Sequence, residues 1–338
     1  MVMCSEYISD LWTVSELYNF SLLSKRTKGI SKRKKGNKVE LDIERRLLYF
    51  YNRDWVFEQN RFQIGRRRIS TRDSKISPFI QATKHFMDVF NCHFGVIDLK
   101  LEHPLSNDQL IEIINWLNNT KIEIRILDLT SGSWPMFELF MNTFQKSVSL
   151  LIIIERGSEG EGIVHKRLNF KIKNAFYSNP CAWFSLEFLF SMETEYITAN
   201  KIDLTAEDLN VFLRSWQEGK TNRKMKKILL TTCLDRDLKK VLEGCGGELM
   251  DPRTTKHKFR RFIRDTYKDI WVYGGIHIRR DDGRIAVIKN SWNEYETEDR
   301  SAYQERELNR NYLENLDIWN SLNKPWYVNE FRIYFFEE

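Results

Sequence analysis

Cys92, His93 and His103 come nearest in this chain to a metal centre, with one thiolate donor and two imidazoles close in sequence. A structural zinc site needs a full tetrahedral set, with ligands paired a few residues apart. Here the second pair and the fourth ligand are missing, so core or surface placement is the better reading. Cys233 with Asp235 has the parts of an activated nucleophile. No histidine lies nearby in sequence to serve as its base, and a small buried thiol explains it more simply. Asp281-Asp282 sets two carboxylates side by side, as acid–base chemistry would require. The pair precedes Gly283 between two alternating apolar runs, where turn formation accounts for it. The loop from Gly157 to Gly162 is rich in glycine, but it lacks the dinucleotide-binding spacing, and Glu159 and Glu161 would repel a phosphate. No Walker, HExxH, GxSxG or kinase signature is present. These residues therefore support no catalytic group, no metal site and no cofactor.

Composition argues for a folded chain. The 338 residues are 42% hydrophobic and 13% aromatic, enough for a substantial core. Five cysteines (Cys4, Cys92, Cys181, Cys233 and Cys245) are scattered with no CxxC pair, which suits reduced thiols and a cytoplasmic or nuclear location. No apolar run approaches the ~18 residues of a membrane span, and the N-terminus has neither the basic start nor the apolar core of a secretory signal. Formal net charge is +6. Basic clusters lie at 25–35, 66–72 and 253–264. Nucleic-acid binding is the sharper reading of these clusters and solvated faces the blander one; without a binding motif or interleaved stacking aromatics the blander one is preferred.

The elements that would position any binding face are best marked between Asp203 and Cys233. Leu209, Phe212, Leu213 and Trp216 fall at i, i+3, i+4 and i+7 and so share one helix face. Thr205 caps that helix with Asp208 as its reciprocal partner, Gly219 suits the residue after its end, and a strand follows at 227–232. The same strand–helix unit recurs upstream. Strands are expected at Val96–Leu101, Ile122–Leu129, Val148–Ile154, Leu168–Ile172 and 196–204. Helices are expected after the capping box Ser106–Gln109, at Pro135–Phe144 and at Cys181–Phe190, with another at Asp235–Leu242. Strand starts recur every 20–30 residues, the range of leucine-rich-repeat units. The predicted fold class is thus α/β, a leucine-rich-repeat-like array stacking a parallel sheet; an ordinary doubly wound sheet fits the same periodicity. Gly274–Ile288 reads as a hairpin. A three-residue loop at Asp281, Asp282 and Gly283 would pair Ile278 with Ala286 and Ile276 with Ile288, placing all four on one face. Short strands are expected between Lys38 and Ile69 (Val39, Leu41, Ile43; Trp55, Phe57; Phe62, Ile64), an exposed insertion with some helix at 293–324, and a closing strand at Phe331–Phe335.

Two of these stretches carry a resemblance. Leu204 through Trp216 with Gly219, and the segment Gly274-Gly275-Ile276-His277-Ile278-Arg279-Arg280-Asp281-Asp282-Gly283-Arg284-Ile285-Ala286, resemble the type 2 F-box-associated domain of nematode F-box proteins. The GGIxIRRxDGxxA element is the most specific part, and its motif positions are Gly274, Gly275, Ile276, Ile278, Arg279, Arg280, Asp282, Gly283 and Ala286. Upstream, Thr13 through Lys28 is similar to the second half of the F-box, and the Leu-Pro-containing first part of that motif does not precede Leu11, so the F-box is expected to be truncated.

The resemblance implies a non-catalytic substrate receptor. Its F-box would dock on the Skp adaptor of a cullin-RING (SCF-type) ubiquitin ligase, here through Leu11, Val14, Leu17, Phe20 and Leu23, and its associated domain would hold an unknown target protein. A stand-alone interaction module without ligase binding is the alternative, and a nucleic-acid-binding protein ranks third. The expected organisation is a partial F-box with basic tail at 1–35, short strands and linker at 36–92, an α/β repeat region at 93–250, and a C-terminal hairpin, charged insertion and closing strand at 251–338.

Overall fold

The computed structural model describes residues 14–31, 37–43, 47–51, 60–63, 76–156, 168–263, 266–289 and 294–337. Leu11, the side chain of Val14, the strand pairs expected around Trp55, Phe57 and Ile64, the cluster at 66–72 and the glycine loop 157–162 lie outside them. The chain forms two compact units, one of residues 1–162 with 168–173 and one of 163–167 with 174–338.

The first unit begins with two short helices, α1 (Val14–Ser21) and α2 (Lys25–Ser31). Then come β1 (Asn37–Asp42), β2 (Leu47–Tyr51), β3 (Asn60–Gln63), α3 (Ser77–Phe90), β4 (Cys92–Leu101), α4 (Asn107–Asn119), β5 (Ile124–Ser131), α5 (Trp134–Thr143) and β6 (Val148–Glu155). Its strands lie in the order β6-β5-β4-β1-β2-β3. β1, β4, β5 and β6 run parallel, and β1, β2 and β3 form an antiparallel meander. Register aligns Phe94, Ile124 and Val148, then Ile97, Leu127 and Leu151, then Leu99, Leu129 and Ile153. Every one of these is at most 1% exposed, so one sheet face is a continuous apolar layer, while Val96, Ile126 and Leu150 on the other face are only half-buried. α4 has the expected capping box, Ser106 with Gln109.

α3 was not expected, since 36–92 read as strands and linker. Its signals are nevertheless present. Pro78 sits in the first turn, Asn91 ends the helix in the left-handed region with its N–H on the Met87 carbonyl, and Phe79, Ile80, Phe86, Met87 and Phe90 are buried.

The second unit contains most of β7 (Ile172–Asn179), then α6 (Leu186–Ser191), β8 (Tyr196–Ile202), α7 (Ala206–Gln217), β9 (Lys227–Asp237), α8 (Leu238–Val241), β10 (Glu248–Met250), β11 (Lys256–Ile263), β12 (Thr266–Tyr273), β13 (Gly275–Arg279), β14 (Ile285–Lys289), α9 (Ala302–Asn320) and β15 (Tyr327–Phe336). The order is β10-β13-β14-β15-β9-β8-β7, with β7, β8 and β9 parallel and the remaining pairs antiparallel. β11 and β12 form a separate hairpin. The architecture is thus mixed α/β, with alternating strands and helices and a C-terminal β-hairpin after short N-terminal helices.

The hairpin has the expected register, Ile276 opposite Ile288 and Ile278 opposite Ala286. Gly283 takes φ 93° at its tip, and the Arg280 N–H closes the loop on the Arg284 carbonyl at 2.9 Å.

Several boundaries move. The strand expected at Leu168–Ile172 starts only at Ile172, because Asn169 turns its amide to the Asn142 carbonyl. The helix expected from Cys181 begins at Leu186, where Ser185 accepts from the Phe188 N–H as its cap. The helix expected from Asp235 is reduced to Leu238–Val241, because β15 pairs with β9 as far as Asp237, which then caps the short helix. The basic segment 253–264 supplies β11.

Candidate functional site

α7 and the β13–β14 hairpin, the two stretches that carry the resemblance, lock together in the second unit. The helix is capped as expected: Thr205 Oγ1 accepts from the Asp208 N–H at 3.0 Å, and the Asp208 carboxylate accepts from the Thr205 N–H at 2.9 Å. Leu209, Phe212, Leu213 and Trp216 are at most 2% exposed. Trp216 packs on Phe335 of β15 with ring centroids 4.9 Å apart. The Arg280 guanidinium lies 5.8 Å from the Trp216 ring centroid, and its Nε meets the Asp282 carboxylate at 3.2 Å. A Cβ on Gly219 would come within 2.6 Å of Arg280 Nη2, and Gly219 also has φ 71°. The glycine that ends α7 is therefore required twice, for its backbone and for the arginine that crosses it. Gln217 Nε2 donates to the Arg279 carbonyl and to the Cys245 carbonyl, each at 2.9 Å. Arg279 and Asp282 have exposed side chains, whereas Ile276, Ile278 and Ala286 are buried.

The glycine pair makes room for something else. Gly274 has φ 53°, and a Cβ there would meet the Met250 carbonyl oxygen at 2.7 Å. Gly275 has φ 99°, and a Cβ there would meet the Ile288 carbonyl oxygen at 2.8 Å and Lys289 Cδ at 2.9 Å. The Lys289 stem thus runs over a bare backbone, and its Nζ donates to the Tyr273 carbonyl at 2.7 Å. Burial pushes this ammonium down to about 8. Gly275, Tyr273 and Lys289 border a cavity of about 300 Å³ whose other side is α9. Leu308, Asn311, Tyr312 and Asn315, spaced i, i+3, i+4 and i+7, present one helical face to it. Met250, Ile276 and Ile288 form its apolar floor. Sequence reading missed Lys289 because a lysine at the end of a strand reads as a solvated edge. The geometric signal was the two adjacent glycines before a buried strand.

The N-terminal helices dock within the first unit. Tyr18 of α1 lies edge-on to His85 of α3 at 5.5 Å, Ser21 Oγ is 2.7 Å from His85 Nε2, and Lys28 of α2 meets Asp88 at 2.5 Å. Of the residues expected to meet an adaptor, Leu17 is buried at 3% exposure, Phe20 is half-buried and Leu23 is 73% exposed. Leu22, outside the set expected to meet the adaptor, is 55% exposed beside it.

A second charged feature of the first unit was also missed. Asp42, Asp98 and Asp128 stand side by side on β1, β4 and β5. Burial, together with the Asp42 and Asp128 carboxylates, raises Asp98 to about 6, and burial with Glu40 raises Asp128. Spread across three strands, the row has no local sequence pattern.

The remaining candidates have structural settings. Cys92 Sγ donates to the Phe90 carbonyl, and burial pushes its thiol up to about 12. Among the described residues, no group of three His, Cys, Asp or Glu side chains is arranged to hold a metal ion. Cys233, expected to be a small buried thiol, is instead exposed at the end of the parallel pairing of β9 and donates to the Lys201 carbonyl. Asp282 at the hairpin turn pairs with Arg280 and Arg284. Cations of the 253–264 cluster are engaged by carboxylates: Arg253 by Asp251, Lys256 by Glu298, Lys258 by Asp269 and Arg261 by Glu294. No described helix is long and apolar enough to cross a membrane.

Comparison with curated proteins and with solved structures finds no match to this chain. Comparison with family models gives one, described as F-box associated, over residues 164–230. That segment takes in β7, α6, β8, α7 and the first strand residues of β9. The match supports an F-box-associated domain in this part of the chain.

Proposed function

We propose that the protein is a non-catalytic substrate receptor of an SCF-type ubiquitin ligase, and that its F-box-associated region captures the protein to be modified. The carrying observation is the family match at 164–230, on the strand–helix units that pack α7 against the hairpin. Such a receptor works by proximity: it raises the effective concentration of target lysines near the conjugating enzyme. The N-terminal helices supply the ligase contact. Since Leu17 is buried, the adaptor-facing surface falls to the exposed Leu22 and Leu23 with the half-buried Phe20.

The test is capture of the Skp adaptor by the full chain, compared with L22E/L23E. Adaptor recovery that disappears in the double variant supports the reading. Absence of the adaptor from a clean capture of the folded wild-type protein sinks it, and leaves the stand-alone interaction module.

A further inference from the structure

The cavity beneath α9 is bordered by Lys289, by two asparagines and by several aliphatic side chains. Lys289 carries three N–H donors, of which one engages the Tyr273 carbonyl; no other partner for its ammonium is found among the described residues. Asn311 and Asn315 add amide groups from α9, and the floor is aliphatic. The lining thus mixes aliphatic side chains with polar groups, and about 300 Å³ stands at the small end of the range of ligand sites. Glu314 also borders the cavity, with its side chain 66% exposed to solvent.

We propose that this cavity binds a carboxylate borne on a small branched apolar group, with the Lys289 ammonium receiving the carboxylate and the Met250–Ile276–Ile288 floor receiving the side chain. Such a group occurs as a free acid or as the last residue of a polypeptide. In the second form, the proposal rests on the target-capture reading given above and names the feature of the target that is read.

The chemistry of the lysine sharpens the expectation. The titratable and charged groups around it are Tyr273 of β12, His277 of β13, Arg332 opposite it on β15, and Tyr312 and Glu314 of α9. A bound carboxylate favours the charged lysine. Binding near pH 8 therefore takes up a proton, and affinity falls as pH rises past the value of the free site.

The experiment is calorimetric titration of the full chain with three probes: 4-methylpentanoate, an acetylated pentapeptide ending in leucine with a free carboxylate, and the same peptide amidated. Binding of the free acid or the carboxylate peptide is expected, with at least about tenfold loss on amidation and about tenfold loss between pH 7 and pH 9. K289M should abolish the preference for carboxylate over amide. N311W, which fills the cavity from the helix side, should abolish binding while leaving the circular dichroism spectrum unchanged. Binding of only the free acid assigns a small-molecule site; binding of the peptide assigns a chain terminus. Failure of both carboxylates, equal binding of acid and amide, or binding undiminished in both folded variants overturns the proposal. None of these readouts involves the adaptor, so a failed adaptor capture and a failed titration are separate results.

Discussion

The Lys227 ammonium and the Glu294 carboxylate meet at 2.5 Å with only 12% and 10% of their side chains exposed. Lys227 opens β9, within the segment that matches the F-box-associated model, and Glu294 begins the charged segment that precedes α9. The same carboxylate accepts from Arg261 and from the Tyr334 hydroxyl, and faces Arg332 at 3.5 Å. A single acid thus ties β9, β11 and β15 together. Replacing one partner of a buried pair costs far more than the pair itself contributes, because the other charge is left without compensation.

E294Q should therefore destabilise the protein by about 3–5 kcal/mol in urea unfolding. Burial alone would raise the Glu294 carboxyl, but Lys227, Tyr334 and Arg261 outweigh it and hold it below the ordinary carboxylate range. A depressed acid contributes stability above its unfolded value near pH 4 and loses it as pH falls through the folded value. Lys227 is lowered by burial despite Glu294, so its own contribution runs the other way and is relieved only at alkaline pH. Wild type should consequently lose more stability than E294Q between pH 5 and pH 3. Parallel losses in the two proteins would show that the carboxylate is not coupled to folding.

What could be read in the sequence follows from how local each signal is. The α7 cap, its four buried residues and the hairpin register were legible, because a 3.6-residue period, a Thr-x-x-Asp box and an Asp-Asp-Gly turn are complete within a few residues. Long-range pairing was not. β9 runs on to Asp237 only because β15 lies beside it, about ninety residues later in the chain. Glu294 reads as an exposed acid until three separate strands deliver their cations and hydroxyl to it. The Asp42–Asp98–Asp128 row and the Lys289 cavity are likewise assembled from separate strands, and neither residue type nor spacing announces them. α3 is different: its Pro78 start and Asn91 stop are local signals, complete within the helix and its cap.

Gly275 and Gly244 offer a matched test of what the glycine pair contributes. Both have positive φ, 99° and 71°, but an added Cβ meets the Ile288 carbonyl at Gly275 and nothing within 4 Å at Gly244. G244A should cost only the backbone term, about 1 kcal/mol. G275A adds a collision with main chain that cannot rotate away, and should cost roughly 2–4 kcal/mol and displace Lys289 from the cavity wall. Chemical denaturation of the two variants checks the order. Equal losses would mean that backbone conformation alone explains the second glycine of the motif.

The aspartate row predicts a stabilising substitution. Asp98 is raised to about 6 by burial and by its two neighbours. A raised acid contributes stability that is fully present below its unfolded value near 4 and is lost as pH rises through the folded value. D98N removes the like-charge burden at neutral pH, and should stabilise by about 1–2 kcal/mol at pH 7 after allowance for solvent screening. The advantage should shrink towards pH 4. Thermal melts at the two pH values decide it, and a constant difference would assign the effect to packing.

Lys289 makes the opposite kind of pH prediction, and joins stability to binding. Its folded value of about 8 lies below that of an unfolded lysine, near 10.4, so the unfolded chain binds the extra proton between the two. Charging the side chain inside the fold is thus a cost, fully present below pH 8 and relieved as pH climbs towards 10. K289M replaces the ammonium with an apolar side chain of similar length and should raise the melting temperature at pH 7. The gain can reach about 3 kcal/mol by the size of the shift, and should diminish by pH 9.5. A ligand carboxylate would offset the same cost, so wild type should be stabilised by 4-methylpentanoate at pH 7 and K289M should not. A lysine kept for packing alone would give the reverse pattern: K289M no more stable than wild type at either pH, and neither protein responding to the acid.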